Sequence, residues 1–173
     1  MAKRDTILDA VQHLTLANGR MPSILEVAAH VGLTKQGVLH YFPTRAALDA
    51  AVVLRAMTRV DAAMTRAAVS GGSPVATYLR LSSPDDGDRA AVVVLSAAVR
   101  REGGGVPPEV QQAVARWEAL IADEVGDPVR AEVVRLVGDG LFSEALLAGG
   151  PPETERVDRL IEHLQALPGS RRA

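Results

Sequence analysis

The sequence predicts an all-α protein of about nine helices, on three grounds. Apolar residues recur at helical spacing along most segments, and β-branched alternation is scarce. Stops rich in Gly, Pro and Asn cut the chain into pieces of helical length, the clearest being Ser70-Gly71-Gly72-Ser73-Pro74. With 173 residues, 47% of them hydrophobic, there is enough apolar material for one packed domain or a small module fused to a modest one.

The elements follow in order. Ile7, Leu8, Val11 and Leu14 form one side of a helix from Arg4 to Ala17, which Asn18-Gly19 ends. Ser23 followed by Glu26 is a capping-box signal for a second helix, Ile24 to His30, and Gly32 keeps it short. Thr34 caps a third, Lys35 to Tyr41, before Pro43-Thr44 breaks and restarts the chain. Thr44 then caps a long fourth helix with Leu48, Val52, Val53, Met57, Val60 and Met64 as its apolar positions and Arg55, Arg59 and Arg66 on its polar side. Beyond the interruption, Val75 to Leu81 makes one or two turns. Ser82 to Asp88 reads as a loop whose acids, Asp85, Asp86 and Asp88, are solvated, since the spacing and closing Glu of a calcium loop are missing. Arg89 to Arg101 is an apolar helix closed by a Gly103-Gly104-Gly105 turn. Pro107-Pro108 starts the next, through Trp117 to Val125. Gly126-Asp127-Pro128 separates it from Val129 to Ala148. The last helix, Glu153 to Leu167, carries the stripe Val157, Leu160, Ile161, Leu164 and Leu167.

Several function classes are disfavoured. The absence of cysteine removes disulfides, thiolate zinc sites and cysteine nucleophiles, and fits a reducing compartment. His13, His30, His40 and His163 are scattered, with no pair at metal-ligand spacing on one helix. No Gly-rich loop follows a strand and no nucleophile elbow is present, so neither an enzyme nor a bound cofactor is expected. No signal-peptide pattern opens the chain. Its longest uncharged apolar stretch, near Ala90 to Val99, is about half a membrane span, which predicts a cytoplasmic protein with no membrane partner. The net charge is −2, yet Met1 to Arg66 holds eight Lys/Arg against five Asp/Glu, so an anionic partner would meet this N-terminal third.

Ser23 to Arg45 supplies the sharpest signal. Two short helices joined by a Gly turn, between two others, follow the helix-turn-helix plan. A two-turn helix is unstable alone, so Val38 and Phe42, with Leu33, must anchor Lys35 to Tyr41 against Val27 and Ala28. Lys35, Gln36 and His40 then project away from the core, in a pattern suited to a DNA major groove. Ser23 and Thr34 stand at helix N-termini, where backbone N–H groups and a hydroxyl favour phosphate. Arg45 opposes the dipole of the helix it begins, and a nearby phosphate would compensate it.

These residues resemble the tetracycline-repressor-like (TetR) regulators. The resemblance spans roughly Arg4 to Val52, through ILDAVQHL and SILEVAAHVGLTKQGVLHYFPTRAALDAAV. It implies a three-helix DNA-binding head at residues 1–47, with the fourth helix from about Thr44 linking it to an effector-binding and dimerising body at 48–173. Lys35, Gln36 and His40 match recognition-helix positions that approach DNA. Tyr41, Ser23 and Arg45 match positions that touch the phosphate backbone, and Phe42 matches a packing residue. Two departures stand out. Gly37 replaces a common Thr, Ala or Ser at a DNA-facing position, and Leu39 replaces a frequent Tyr.

The run VVRLVGDGLFSEALLAG resembles the first of two dimerisation helices in one TetR subgroup. Its apolar residues, Val133, Leu136, Val137, Leu141, Leu146 and Leu147, cover more than one side, and Gly138 and Gly140 would admit a close neighbour. With Val157, Leu160, Ile161 and Leu164 it predicts a four-helix bundle between two copies. Met57, Val60, Met64, Tyr78, Leu95, Trp117, Leu120, Ile121 and Phe142 are the candidate lining of an effector pocket, with Glu118, Asp139 and Glu144 as possible orienting acids. The reading is a homodimeric repressor that binds a palindromic double-stranded operator and responds to a small-molecule effector of unknown identity. The alternative is a helical protein-binding adaptor whose head has no operator.

Overall fold

The computed structural model describes residues 2–101 and 104–166; Gly103 of the predicted turn and Leu167 of the predicted stripe lie outside them. Among the described residues the protein is all helical, with α1 (Lys3–Asn18), α2 (Ile24–His30), α3 (Lys35–Tyr41), α4 (Arg45–Val69), α5 (Pro74–Arg80), α6 (Asp86–Arg100), α7 (Pro108–Val125), α8 (Pro128–Ala148) and α9 (Thr154–Ala166). No helix among them is long and apolar enough to cross a membrane. The helices form two compact units, residues 1–57 with 85–111 and residues 58–84 with 112–173, so α4 and α7 each contribute to both.

In the first unit α1, α2 and α3 close around Ile7, Val11, Val27, Val38, Phe42 and Leu48, all essentially without solvent contact. Each short helix has a local reason to begin where it does. The Ser23 hydroxyl accepts from the Glu26 N–H at 3.2 Å while the Glu26 carboxylate accepts from the Ser23 N–H at 2.7 Å. Thr34 Oγ1 accepts from the Gly37 N–H at 3.0 Å, and Thr44 Oγ1 from the Ala47 N–H at 3.0 Å. Gly32 takes the left-handed conformation (φ 65°) that turns α2 into α3. The arginine of α1, Arg4, lies over the Phe42 ring at 4.7 Å, adding a cation–π contact.

α6 packs against α1, with Ala91 and Val94 in the same core. Its start corrects the reading of Ser82 to Asp88 as a solvated loop. Asp85 caps the helix by accepting from the Asp88 N–H at 2.9 Å, and Asp88 returns the bond to the Asp85 N–H at 3.0 Å. Acids at this spacing satisfy orphan amides and complement the helix dipole, which is why helix rather than loop forms here.

The second unit is built on α5, which packs against both α8 and α9. Its core holds Met64, Val75, Leu79, Ile121, Val134 and Leu141 with Val157, Ile161 and Leu164. Ser73 caps α5 and Pro74 occupies its first turn, while Glu124 of α7 accepts from both the Ser73 hydroxyl (2.6 Å) and the Val75 N–H (2.7 Å). The half-buried Arg130 bonds the carbonyls of Leu164 (2.9 Å) and Val125 (3.4 Å), placing a cation at the negative ends of α9 and α7.

Candidate nucleic-acid interface and ligand-binding unit

Seven of the eight positions predicted to meet DNA lie on or beside α3 or at the start of α2. Ser23, Thr34, Lys35, Gln36, His40 and Tyr41 are exposed, and Gly37 is partly so. Val38 and Phe42 on the opposite side are buried to 0% and 1% exposure, so α3 is anchored by one face and presents the other. His40 and Tyr41 stand edge-to-face at 5.3 Å, which restricts both rings at the exposed end of the helix. Gly37 has ordinary helical backbone. A Cβ there would rest 3.4 Å from Leu33 Cβ and Thr34 Oγ1, so the fold does not require glycine at this position.

Arg45, the eighth, is placed differently. It is half-buried, its Nε donates to Asp49 Oδ1 at 2.8 Å, and its Nη1 donates to the Pro22 carbonyl at 2.5 Å. The charge that the helix dipole disfavours is thus compensated from within the fold, by a carboxylate one turn on. That carboxylate is only 2% exposed, and its second oxygen accepts from Arg101 Nη2 at 2.7 Å.

At the N-cap of α2, hydrogen bonding from Arg20, then from the Ser23 backbone and hydroxyl, lowers the Glu26 pKa to about 2. The cap therefore carries an ionised carboxylate at any physiological pH. His13 and His30, far apart in sequence, bring their rings to 5.3 Å, yet no group of three possible metal ligands forms among the described residues.

The nine positions predicted to line an effector pocket separate. Met57 and Leu95 pack on the core of the first unit. Met64 and Ile121 are buried in the second, with Val60, Tyr78, Trp117 and Leu120 against them, and Phe142 is half-buried. Tyr78 and Trp117 lie 6.4 Å apart, inclined at 53°. Both polar tips are held by carboxylates. The Trp117 indole N–H donates to Asp61 Oδ1 at 2.9 Å, which also pairs with Arg116, and the Tyr78 hydroxyl donates to Asp139 Oδ1 at 2.9 Å, which pairs with Arg135. Burial, then the Asp139 charge, raises the Tyr78 pKa well above the usual phenol value, so this hydroxyl remains a donor. Arg135 also pairs with Glu118 at 3.2 Å, and Glu144 is engaged by Arg156 at 2.7 Å. A cleft of about 430 Å³ opens beside these pairs, lined by Glu118, Ala119, Ala122, Pro128, Ala131, Glu132 and Arg135. Another of about 550 Å³ lies in the first unit, beside Thr44, Asp49 and Arg101. The nine apolar positions line neither.

The residues predicted to join two copies also divide. Leu141, Val157, Ile161 and Leu164 are at most 5% exposed, in a core where α5 packs against both α8 and α9 within the chain. Val137, Leu146 and Leu160 are partly buried. What α8 leaves open is a line of Val129, Val133, Leu136 and Leu147, at helical spacing and continued by Gly140, which has open space above it.

A family model of the tetracyclin repressor-like C-terminal domain matches residues 72–168, more than half of the chain. The chain belongs to the tetracycline-repressor-like family. Solved structures agree with the TetR fold along nearly the whole length. The multidrug binding protein EbrR complexed with malachite green is 23% identical, covers 96% of this chain and 100% of its own, and superposes with a TM-score of 0.70. Salmonella enterica GusR is 20% identical, with 95% and 94% covered and a TM-score of 0.64. A structure describing the control of antibiotic production by bacterial hormones is 25% identical, with 93% and 94% covered and a TM-score of 0.56. Curated proteins gave no match.

Proposed function

We propose that this TetR-family regulator is a ligand-responsive repressor that binds a two-fold-symmetric operator as a homodimer. The observation that carries the reading is the two-sidedness of α3. Val38 and Phe42 are buried completely while Lys35, Gln36, His40 and Tyr41 are exposed. A short helix anchored so firmly, with long polar side chains on its free face, fits the major groove. There Lys35 meets guanine or phosphate, Gln36 meets adenine, and Tyr41 meets the backbone. The N-terminus of α3, capped by Thr34 and free of any carboxylate in its first turn, adds a setting that favours phosphate.

One head reads one half-site, so a specific complex calls for two copies. The open line of Val129, Val133, Leu136 and Leu147 supports a second copy docking on α8. The effector would bind in the second unit, near Tyr78 and Trp117, whose rings favour an aromatic molecule; three acids, Asp61, Asp139 and Glu118, against their two partners Arg116 and Arg135 leave an acidic balance that favours a positive charge on it. EbrR, complexed with malachite green, offers a parallel for such a ligand. Because α4 contributes to both units, a ligand that prefers one of two spacings of the paired recognition helices changes operator affinity accordingly.

Fluorescence anisotropy with the DNA flanking its own gene tests the reading. Specific binding that weakens steeply with salt, and that is lost in a Lys35→Ala/Tyr41→Ala variant, is expected. Full binding by that variant contradicts it.

A further inference from the structure

Asp49 joins three parts of the first unit. Its carboxylate is buried, and a buried carboxylate is tolerated only when paired and hydrogen-bonded. One oxygen takes Arg45 Nε at 2.8 Å, from the start of α4; the other takes Arg101 Nη2 at 2.7 Å, from the residue that caps the end of α6. Arg45 continues to the Pro22 carbonyl, one residue before the cap of α2, and its Nη2 is buried without a hydrogen-bond partner. All three donor edges of the Arg45 guanidinium therefore point into the protein.

We infer that Arg45 and Arg101 are positioning residues for DNA binding, acting through Asp49 and the Pro22 carbonyl rather than by touching phosphate. This rests on the DNA-binding reading of the head. For Arg45 to reach a phosphate it would have to leave Asp49 and Pro22, stranding a buried carboxylate with Arg101 as its sole cation. The cheaper arrangement keeps it inside. There it fixes the chain leading into Ser23, and so the angle at which α2 and α3 are presented. Arg101 does the same from α6, by holding the carboxylate in the orientation that Arg45 needs. Operator affinity thus depends on the end of α6, which carries none of the DNA-facing residues. A shared carboxylate also makes the two arginines non-additive, because removing either frees the carboxylate to rotate toward the other.

The test compares Arg101→Met and Arg45→Met, which keep an unbranched apolar stem in place of the guanidinium arm, with Lys35→Ala as a direct-contact control. Operator affinity is measured by anisotropy across a salt series in the full chain. Each methionine variant is expected to bind about three- to tenfold more weakly at every salt concentration, with the double variant, which leaves the buried Asp49 carboxylate without either cation, weaker than the two single losses multiplied together. The slope of log affinity against log salt should stay parallel to wild type for both, whereas Lys35→Ala reduces it by about two, one for each copy in the dimer. Arg101→Lys should restore most of the lost affinity. A slope reduced by about two in Arg45→Met, or unchanged affinity in Arg101→Met, overturns the inference. Hydrogen exchange of the α2 and α3 amides, measured without DNA, decides the junction independently. Faster exchange in Arg101→Met is expected, and unchanged exchange refutes it. If the wild-type chain binds no DNA, the functional reading falls while the exchange result still stands or falls by itself.

Discussion

Gly138 of α8 lies against the ring of Tyr78 on α5. A Cβ built on this glycine would stand 2.8 Å from Tyr78 Cδ1 and closer still to Cε1. The missing side chain is what lets α5 seat its aromatic ring on α8 and place the hydroxyl on Asp139. Gly138→Ala should therefore destabilise the fold by about 1–3 kcal/mol, as overpacking does. Thermal or urea unfolding measures it, and Tyr78→Leu in the same chain should recover part of the loss. Gly140→Ala, with open space around it, should instead stabilise the helix by about 0.5–1 kcal/mol.

The α2 cap gives a pH dependence of known sign. Glu26 has a folded-state pKa lowered to about 2 from the ordinary 4.5, chiefly by Arg20 and then by Ser23. A depressed carboxylate stabilises the folded state above its unfolded pKa and loses that contribution as pH falls toward its folded pKa. The melting-temperature difference between wild type and Glu26→Gln should be constant above pH 5 and shrink between about 4.5 and about 2. A difference that is flat through that window contradicts the assignment.

Trp117 is the single tryptophan and sits 6.4 Å from Tyr78. A ligand entering beside this pair changes the indole's surroundings, so intrinsic fluorescence reports binding without a label. Titration with a planar aromatic cation should quench the signal saturably, with weaker affinity in Asp61→Asn, which removes the negative charge at Asp61, the acceptor of the Trp117 N–H. A linear, non-saturating response places the ligand elsewhere.

Leu136 and Leu147 of α8 are 54% and 90% exposed. If a second copy covers them, Leu136→Glu/Leu147→Glu should sediment as a monomer while keeping the helical circular dichroism of the wild type. Association unchanged by both charges would move the dimer surface away from this line.

What the sequence shows of the fold follows the range of the forces involved. Caps and turns are local. Ser23 with Glu26, Thr34, Gly32 and Thr44 therefore marked α2, α3 and the start of α4 at their observed positions. The same logic was available at Asp85 and Asp88, whose spacing repeats that of Ser23 and Glu26, but acids near a proline also suit a solvated loop. Periodicity identified the buried stripe of α9 without naming what buries it, and α5 of the same chain packs on it. It likewise could not separate Gly138 from Gly140, of which only the first has a close neighbour. Arg45 and Asp49 are one turn apart and legible as a pair. Arg101 is 52 residues from Asp49, and no pattern in a single sequence announces that contact.

The most direct test of the account is recovery of DNA bound by the full chain from a random duplex library. A dimer of such heads enriches a pseudo-palindrome whose half-site centres are about 10–10.5 base pairs apart, or a multiple, with Gln36→Ala relaxing the preference at one base pair in each half. Failure to enrich any sequence over bulk DNA, or enrichment of a site without two-fold symmetry, would contradict it.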